Sequence, residues 1–332
     1  MNLTPQGLAR QVAATGFGAG PLETVFRLMA LLDALTSHPF LRSRIALKGG
    51  TALNLFHFNV PRLSVDVDLN YIGAVDRDAM LAERPKVEEA VQAVCSREGL
   101  IVKRVPKEHA GGKWRLAYVG SDGAPGNLKL DVNFMLRTPL WPCVVTPCHP
   151  IGSFRTAPVR VLDLHELAAG KLAALLARSA CRDVFDGHAL LATPGLDRAK
   201  LRLAFVVYGG INRKDWRTVS PVYVKADPKD VDAELVPMVR ADLSPARGTV
   251  AAWTVKLVAE CRERLSVLLP LHGAELEFLR RLNDAGEISP ELITGDSKMQ
   301  AILREHPGLN WKALNVRRRP GLGGAGTTDE EK

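Results

Sequence analysis

The residues best suited to chemistry stand close together between Ile45 and Asn70. A short apolar run, Ile45-Ala46-Leu47, breaks at Lys48-Gly49-Gly50-Thr51, and Ala52-Leu53-Asn54-Leu55-Phe56 then reads as the start of a helix. A strand that turns into a helix at paired glycines presents backbone N–H groups to an anion. Val65-Asp66-Val67-Asp68-Leu69 follows. Alternate residues of a strand share a face, so Asp66 and Asp68 point one way while Val65, Val67 and Leu69 are buried on the other. Adjacent carboxylates repel one another. A hard divalent cation, Mg²⁺ or Mn²⁺, reverses that penalty, because it prefers oxygen ligands and is held by one or two carboxylates plus substrate phosphates. An anion cradle beside a metal-binding pair suits phosphoryl or nucleotidyl transfer.

The rest of the chain must position these groups. A helix is expected from Pro21 to Pro39, after a loose lead-in with weak helical character over Met1–Gly20, and another from Asp76 to Arg97 with Met80, Val87, Val91 and Val94 inward. Strands are expected at Leu100–Val105, Lys113–Val119 and Asn127–Leu136. In the last of these, Leu128, Leu130, Val132 and Phe134 face one way and Lys129, Asp131 and Asn133 the other. An acidic residue has β-propensity against it, so Asp131 is either an exposed edge position or a functional carboxylate. Thr138–Pro158 reads as proline-rich loop and Val159–Leu162 as a short strand.

Asp163 and Glu166 cap a helix whose buried stripe is Leu164, Leu167, Ala168, Leu172 and Leu175. Lys171 falls inside that stripe, where a lysine is costly unless its ammonium reaches an anion or water. Binding of a triphosphate is the favoured reading and snorkelling to the surface its rival. Asp183 and Asp186 follow on one face of the next helix.

Beyond Leu190 the pattern is helical, at Asp197–Tyr208, Asp230–Arg240, Val250–Leu269, Leu276–Asn283, Lys298–Glu305 and Trp311–Arg319, with Gly209-Gly210 as a break. The expected organisation is a catalytic domain at 1–195, a helical lobe at 196–319 and a disordered Gly- and acid-rich tail at 320–332. In the lobe, Arg213, Lys214, Arg217, Lys225 and Arg317 to Arg319 are available for phosphates, and Trp216 or Trp311 for base stacking. The plainer reading of all of these is surface and core.

Hydrophobic residues make up 46% of the 332 and charged residues 24%, the composition of a soluble globular protein. A net charge of +8 favours polyanions such as RNA, or is a solvated basic surface. Five scattered cysteines argue against a disulfide framework and for a reducing cytoplasm. Cys143, Cys148 and His149 lack a fourth zinc ligand at a familiar spacing. No secretory leader and no membrane-spanning run is read from the sequence.

Gly-Gly followed by hydrophobic-Asp-hydrophobic-Asp-hydrophobic resembles the signature of the DNA polymerase beta nucleotidyltransferase superfamily. The fuller K-G-G-T-A-L-N-L-F and R-L-S-V-D-V-D-L, with E-L-A-A-G-K-L-A-A-L-L-A-R and R-D-V-F-D further on, resembles the AbiEii/AbiGii toxin family, which includes the MenT toxins. The resemblance spans Ile45 to Leu190. It implies an α+β fold, a mixed sheet with helices packed on it plus a C-terminal helical lobe. It also implies a nucleotidyltransferase of a toxin–antitoxin or abortive-infection system. Asp66, Asp68 and Asp131 would bind metal, Asp131 as the third carboxylate on a neighbouring strand or as the base. Lys48, Gly49, Gly50, Thr51, Arg62, Ser64 and Lys171 would bind the NTP. Lys171 and Asp186 would be active-site residues, supported by Arg182 and Asp183, unless those two form a structural ion pair between helices. Ser64 stands two residues before Asp66, and a phosphate on it would oppose both carboxylates and nucleotide. The implied acceptor is RNA, at the tRNA 3′ end, with arrest of translation and a cognate antitoxin as partner. Transfer to a small molecule such as an antibiotic, and a non-catalytic nucleotide- or RNA-binding module, are the alternatives.

Overall fold

The computed structural model describes residues 3–105 and 111–318. Arg319 and the expected tail at 320–332 lie outside the described residues. Seven strands are present: β1 (Ile45–Lys48), β2 (Asp66–Tyr71), β3 (Ile101–Arg104), β4 (Gly111–Val119), β5 (Pro125–Asn133), β6 (Val144–Thr146) and β7 (Val159–Val161). They form one mixed sheet in the order β3-β4-β5-β2-β1-β7-β6. β2 runs antiparallel to β1 and parallel to β5, so the acidic strand sits at the centre of the sheet.

Among the described residues twelve α-helices, with shorter wide and tight helical turns between them, surround it: α1 (Pro5–Thr15), α2 (Ala19–Ser37), α3 (Gly49–Ala52), α4 (Arg77–Arg97), α5 (Leu164–Arg178), α6 (Cys181–Ala192), α7 (Arg198–Ile211), α8 (Pro228–Asp230), α9 (Val250–Arg264), α10 (Gly273–Arg280), α11 (Ser297–Glu305) and α12 (Pro307–Arg317). The period-2 pattern decides which side of the sheet is covered. Val67, Leu69, Trp114, Leu116, Leu128, Leu130 and Val132 are buried, with α2 crossing β2, β5 and β7 and α4 packed beside it. On the opposite face α3 lies over β2 and is held there by α5, which packs on α6 and α7. The main apolar core runs without a break from Leu8 to Ala313, so the C-terminal helices are built into it. Among the described residues no helix is long and apolar enough to cross a membrane.

Four expectations need correction. The lead-in is not loose: Thr4 accepts from the Gly7 N–H and Pro5 opens α1, whose Leu8 is buried. The expected helix over Asp230–Arg240 is instead α8, a wide turn at Val231–Leu235 and a tight one at Val236–Met238, because Pro237 withholds the N–H that a continuous helix needs. Trp216 is fully buried and tilted on Phe205 at 5.3 Å, so it cannot receive a base. Gly209 and Gly210 do not break a helix but lie inside α7. Their role is close packing: a Cβ on Gly209 would overlap the Trp216 indole, and one on Gly210 would stand 3.0 Å from Leu282 Cδ2.

Gly209→Ala therefore gains helix propensity, about 1 kcal/mol, yet loses more by overpacking. The expected outcome is a net loss of about 1–3 kcal/mol, read as a lowered thermal midpoint.

Candidate functional site

At the end of β1 the chain turns at Gly49, whose φ of +76° is the left-handed conformation that favours glycine. A Cβ there would also overlap Asp68 Oδ2, so glycine is what lets that carboxylate lie against the turn. At Gly50 a Cβ would stand 2.9 Å from Ser64 Oγ and 3.1 Å from Arg62 Nη2. Buried Thr51 donates its hydroxyl to the Asp66 carbonyl at 2.5 Å, which pins α3 to β2. The wide turn Leu53–His57 continues α3.

Strand register gathers the carboxylates. Asp68 stands opposite Lys48 of β1 on one side and Asp131 of β5 on the other, and Asp66 stands opposite Lys129. Directly opposed residues share a face with Cβ atoms about 5 Å apart. Burial raises the pKa of Asp68, Lys48 draws it down, and Asp131 and Asp66 push it further up. Lys48 behaves in mirror image: burial lowers its pKa, and Asp68 and Asp131 restore part of it. Asp68 thus has two carboxylates beside it, Asp131 opposite and Asp66 two residues along the same face, a repulsion that a hard divalent cation relieves. Among the described residues no three Asp, Glu, His or Cys side chains form a ready-made metal cage. The donor set thus fits an ion that draws its other ligands from phosphates and water, as Mg²⁺ does.

Asp68 borders a cleft together with Lys48, Gly49 and Gly50, and its remaining walls include Glu166, Lys171 and Arg178 of α5, Tyr208 of α7, and Leu136, Leu162 and Leu167. Lys171 does not snorkel. Its ammonium lies 2.9 Å from Asp183 Oδ1 and 3.0 Å from Asp186 Oδ2, both buried. Arg178 holds Asp183 at 2.7 Å from its other side. Arg62 grips Asp186 with two hydrogen bonds, Nε to Oδ1 at 2.7 Å and Nη2 to Oδ2 at 2.5 Å, and Asn54 donates to it at 3.2 Å. Burial alone would raise the pKa of Asp186, but Arg62 and Lys171 outweigh it and keep the carboxylate ionised far into acid. The same balance of burial against Lys171 and Arg178 keeps Asp183 ionised.

The sequence-derived residues therefore fall into two layers. Lys48, Gly49, Gly50, Asp68 and Lys171 border the cleft, Asp66 shares the face of Asp68, and Asp131 borders the adjoining groove over β4 and β5. Thr51, Arg62, Ser64 and Asp186 are buried behind them. Three cleft residues have no counterpart in the sequence reading. Arg178 follows Lys171 by two helical turns on the same face, a signal present in the sequence. Glu166 reads only as a capping residue. Yet it is buried, accepts from Tyr208 Oη at 2.7 Å and from the Leu140 N–H at 3.0 Å, and has its pKa pushed up to about 7 by burial. Tyr208 reaches it only because α7 packs on α5.

Repelling carboxylates that face a cationic, glycine-floored cleft make the arrangement of a nucleotidyltransferase. Residues 30–255 match the family model described as nucleotidyl transferase AbiEii toxin, type IV TA system, and the chain belongs to that family. It is a nucleotidyltransferase toxin of a type IV toxin–antitoxin system, a class that pairs each toxin with an antitoxin and uses an NTP with a divalent metal. Its fold is similar to that of MenT4, a nucleotidyltransferase toxin from Mycobacterium tuberculosis H37Rv, with a TM-score of 0.57 at 19% identity over 93% of this chain and 99% of that one. Comparison with curated proteins gives no match.

Two measurements test the layering. Arg62→Ala leaves Asp186 buried with half its partners gone and should cost about 3–5 kcal/mol of stability, seen in chemical denaturation, whereas Asp66→Ala removes a repelled carboxylate and should leave the midpoint unchanged or higher. For Glu166 the folded pKa near 7 lies above the ordinary 4.5, so the folded state holds its proton longer. Stability from this group is full below 4.5 and declines as pH rises to about 7. Glu166→Gln should flatten that slope, by on the order of 1–3 kcal/mol between about pH 4.5 and pH 7.

Proposed function

We propose that the cleft binds an NTP and that the enzyme transfers its nucleoside monophosphate to an RNA hydroxyl, at the tRNA 3′ acceptor end, thereby blocking translation. The observation that carries this reading is the placement of Lys171 and Arg178. Two buried aspartates aim both cations into a cleft whose opposite wall is the carboxylate-bearing strand. A cationic wall facing acidic residues suits a substrate that carries several negative charges of its own.

In this reading the Gly50 N–H at the start of α3 and the ammonium of Lys48 hold the phosphate chain, and Thr51 fixes the turn from behind. Asp66 and Asp68, with Asp131 beside them, are the residues that would hold Mg²⁺ or Mn²⁺, whose chemistry when bound is neutralisation of charge on the phosphoryl oxygens. The acceptor hydroxyl oxygen bonds to the α-phosphorus, the bond to the β-phosphate oxygen breaks, and pyrophosphate leaves with its new charge facing Lys171 and Arg178. Asp131 either completes that metal site or takes the hydroxyl proton. Asp186, Asp183 and Arg62 act through Lys171 as positioning residues, and Ser64 backs the glycine turn. A net charge of +8 supports a polyanionic acceptor.

Incubation with labelled NTPs and total RNA should place label on RNA 3′ ends, and sequencing those ends identifies the acceptor and nucleotide. Asp66→Ala should abolish labelling in a folded protein, and Lys171→Ala should lower kcat/KM by about a hundredfold or more. Label appearing on a small molecule and never on RNA would reject the acceptor; full activity of Asp66→Ala would reject the metal role.

A further inference from the structure

On the far side of the acidic row from the nucleotide cleft, the same sheet face continues across β5 and β4 with no helix of the described residues packed on it. Register sets two rows there: Lys48, Asp68, Asp131 and Lys113 in one, and Asp66, Lys129 and Arg115 in the other. Lys113, Arg115 and Lys129 are all exposed. With Asp131 they line a groove floored by Gly111 and Gly112. Three observations describe this patch. Among the described residues none of the three side chains has a hydrogen bond or ion pair, a state shared by exposed cations such as Arg155 and Lys225. Arg115 and Lys129 stand directly opposite each other, a like-charge pairing that costs stability, with Asp66 on the other side of Lys129. The acidic residue bordering the groove is Asp131 itself, so the positive track ends on the carboxylates of the site.

The in-line geometry of phosphoryl transfer puts the attacking and leaving oxygens on opposite sides of the phosphorus. With pyrophosphate leaving toward α5, the acceptor must approach from the β5 side. We propose that the exposed β4–β5 face, through Lys113, Arg115 and Lys129, binds the phosphodiester backbone of the acceptor RNA and delivers its 3′ end to Asp131. The three cations stand one to two strand spacings, about 5–10 Å, from the acidic row, and none touches the nucleotide cleft. The inference rests on RNA being the acceptor.

The test compares wild type with K113E/R115E/K129E and with the milder K113Q/R115Q/K129Q, using unfractionated tRNA as probe at several salt concentrations. Both variants should fold and bind NTP as wild type does. The KM for tRNA should rise about tenfold or more, and the dependence of log affinity on log salt should become shallower by about 2–3, one contact per lost cation. A wild type that labels tRNA while both variants keep its KM and salt slope overturns the surface but leaves the acceptor reading standing. A wild type that neither binds nor labels RNA removes both. Variants that lose only capture of the antitoxin, with tRNA kinetics intact, would make the patch a protein-binding face and also overturn the proposal.

Discussion

The double grip on Asp186 is the interaction on which the rest of the site depends. Arg62 comes from the segment just before the acidic strand, Asn54 from the helix after the glycine turn, and Lys171 from α5, and all three converge on this one buried carboxylate. A buried charge is tolerated only when it is paired and hydrogen-bonded. Asp186 therefore requires these three segments to meet in one arrangement. Few other contacts tie the turn, the strand and the helix together so directly.

The same network explains how a lysine comes to lie within an apolar stripe. Asp183 and Asp186 sit three residues apart on α6 and hold the Lys171 ammonium between them, with Arg178 balancing Asp183. Two carboxylates shared among Arg62, Lys171 and Arg178 leave one unit of positive charge, and it faces the cleft. Across from it, Asp68 of the acidic strand lies beside two further carboxylates, Asp131 and Asp66. An unbalanced cationic wall facing an unbalanced acidic one is what a metal-bound polyphosphate completes, so the groups whose charges are least satisfied within the protein are those left at the cleft.

The sheet organises this electrostatics. Because β2 lies between β1 and β5, Asp68 has a lysine, Lys48, from one neighbour and a carboxylate, Asp131, from the other, while Asp66 faces Lys129. Among the described residues, α3 and α5 cover only the β1 side, which makes a cleft there and leaves a basic face over β5 and β4. The two sides of one acidic row thus differ in shape as well as in charge.

Much of this was legible in the sequence, where the chemistry is local. Paired glycines before a helix, aspartates two apart in an apolar strand, and Asp131 alternating against Leu130 and Val132 fixed the turn, the face and the strand, because backbone sterics and period-2 alternation act over a few residues. The lysine inside the α5 stripe was visible as an anomaly, but not its partners. Gly209 and Gly210 read as a break because their reason for being glycine, Trp216 and Leu282, lies elsewhere in the chain. Trp216 read as available for stacking for the same reason. Arg62 and Asp186 were both visible as polar residues near motifs, yet nothing local says that they neutralise each other across 124 positions. Which charges are paired and buried, and which remain free to meet a ligand, depends on distances between segments remote in sequence. Only the tertiary structure set those.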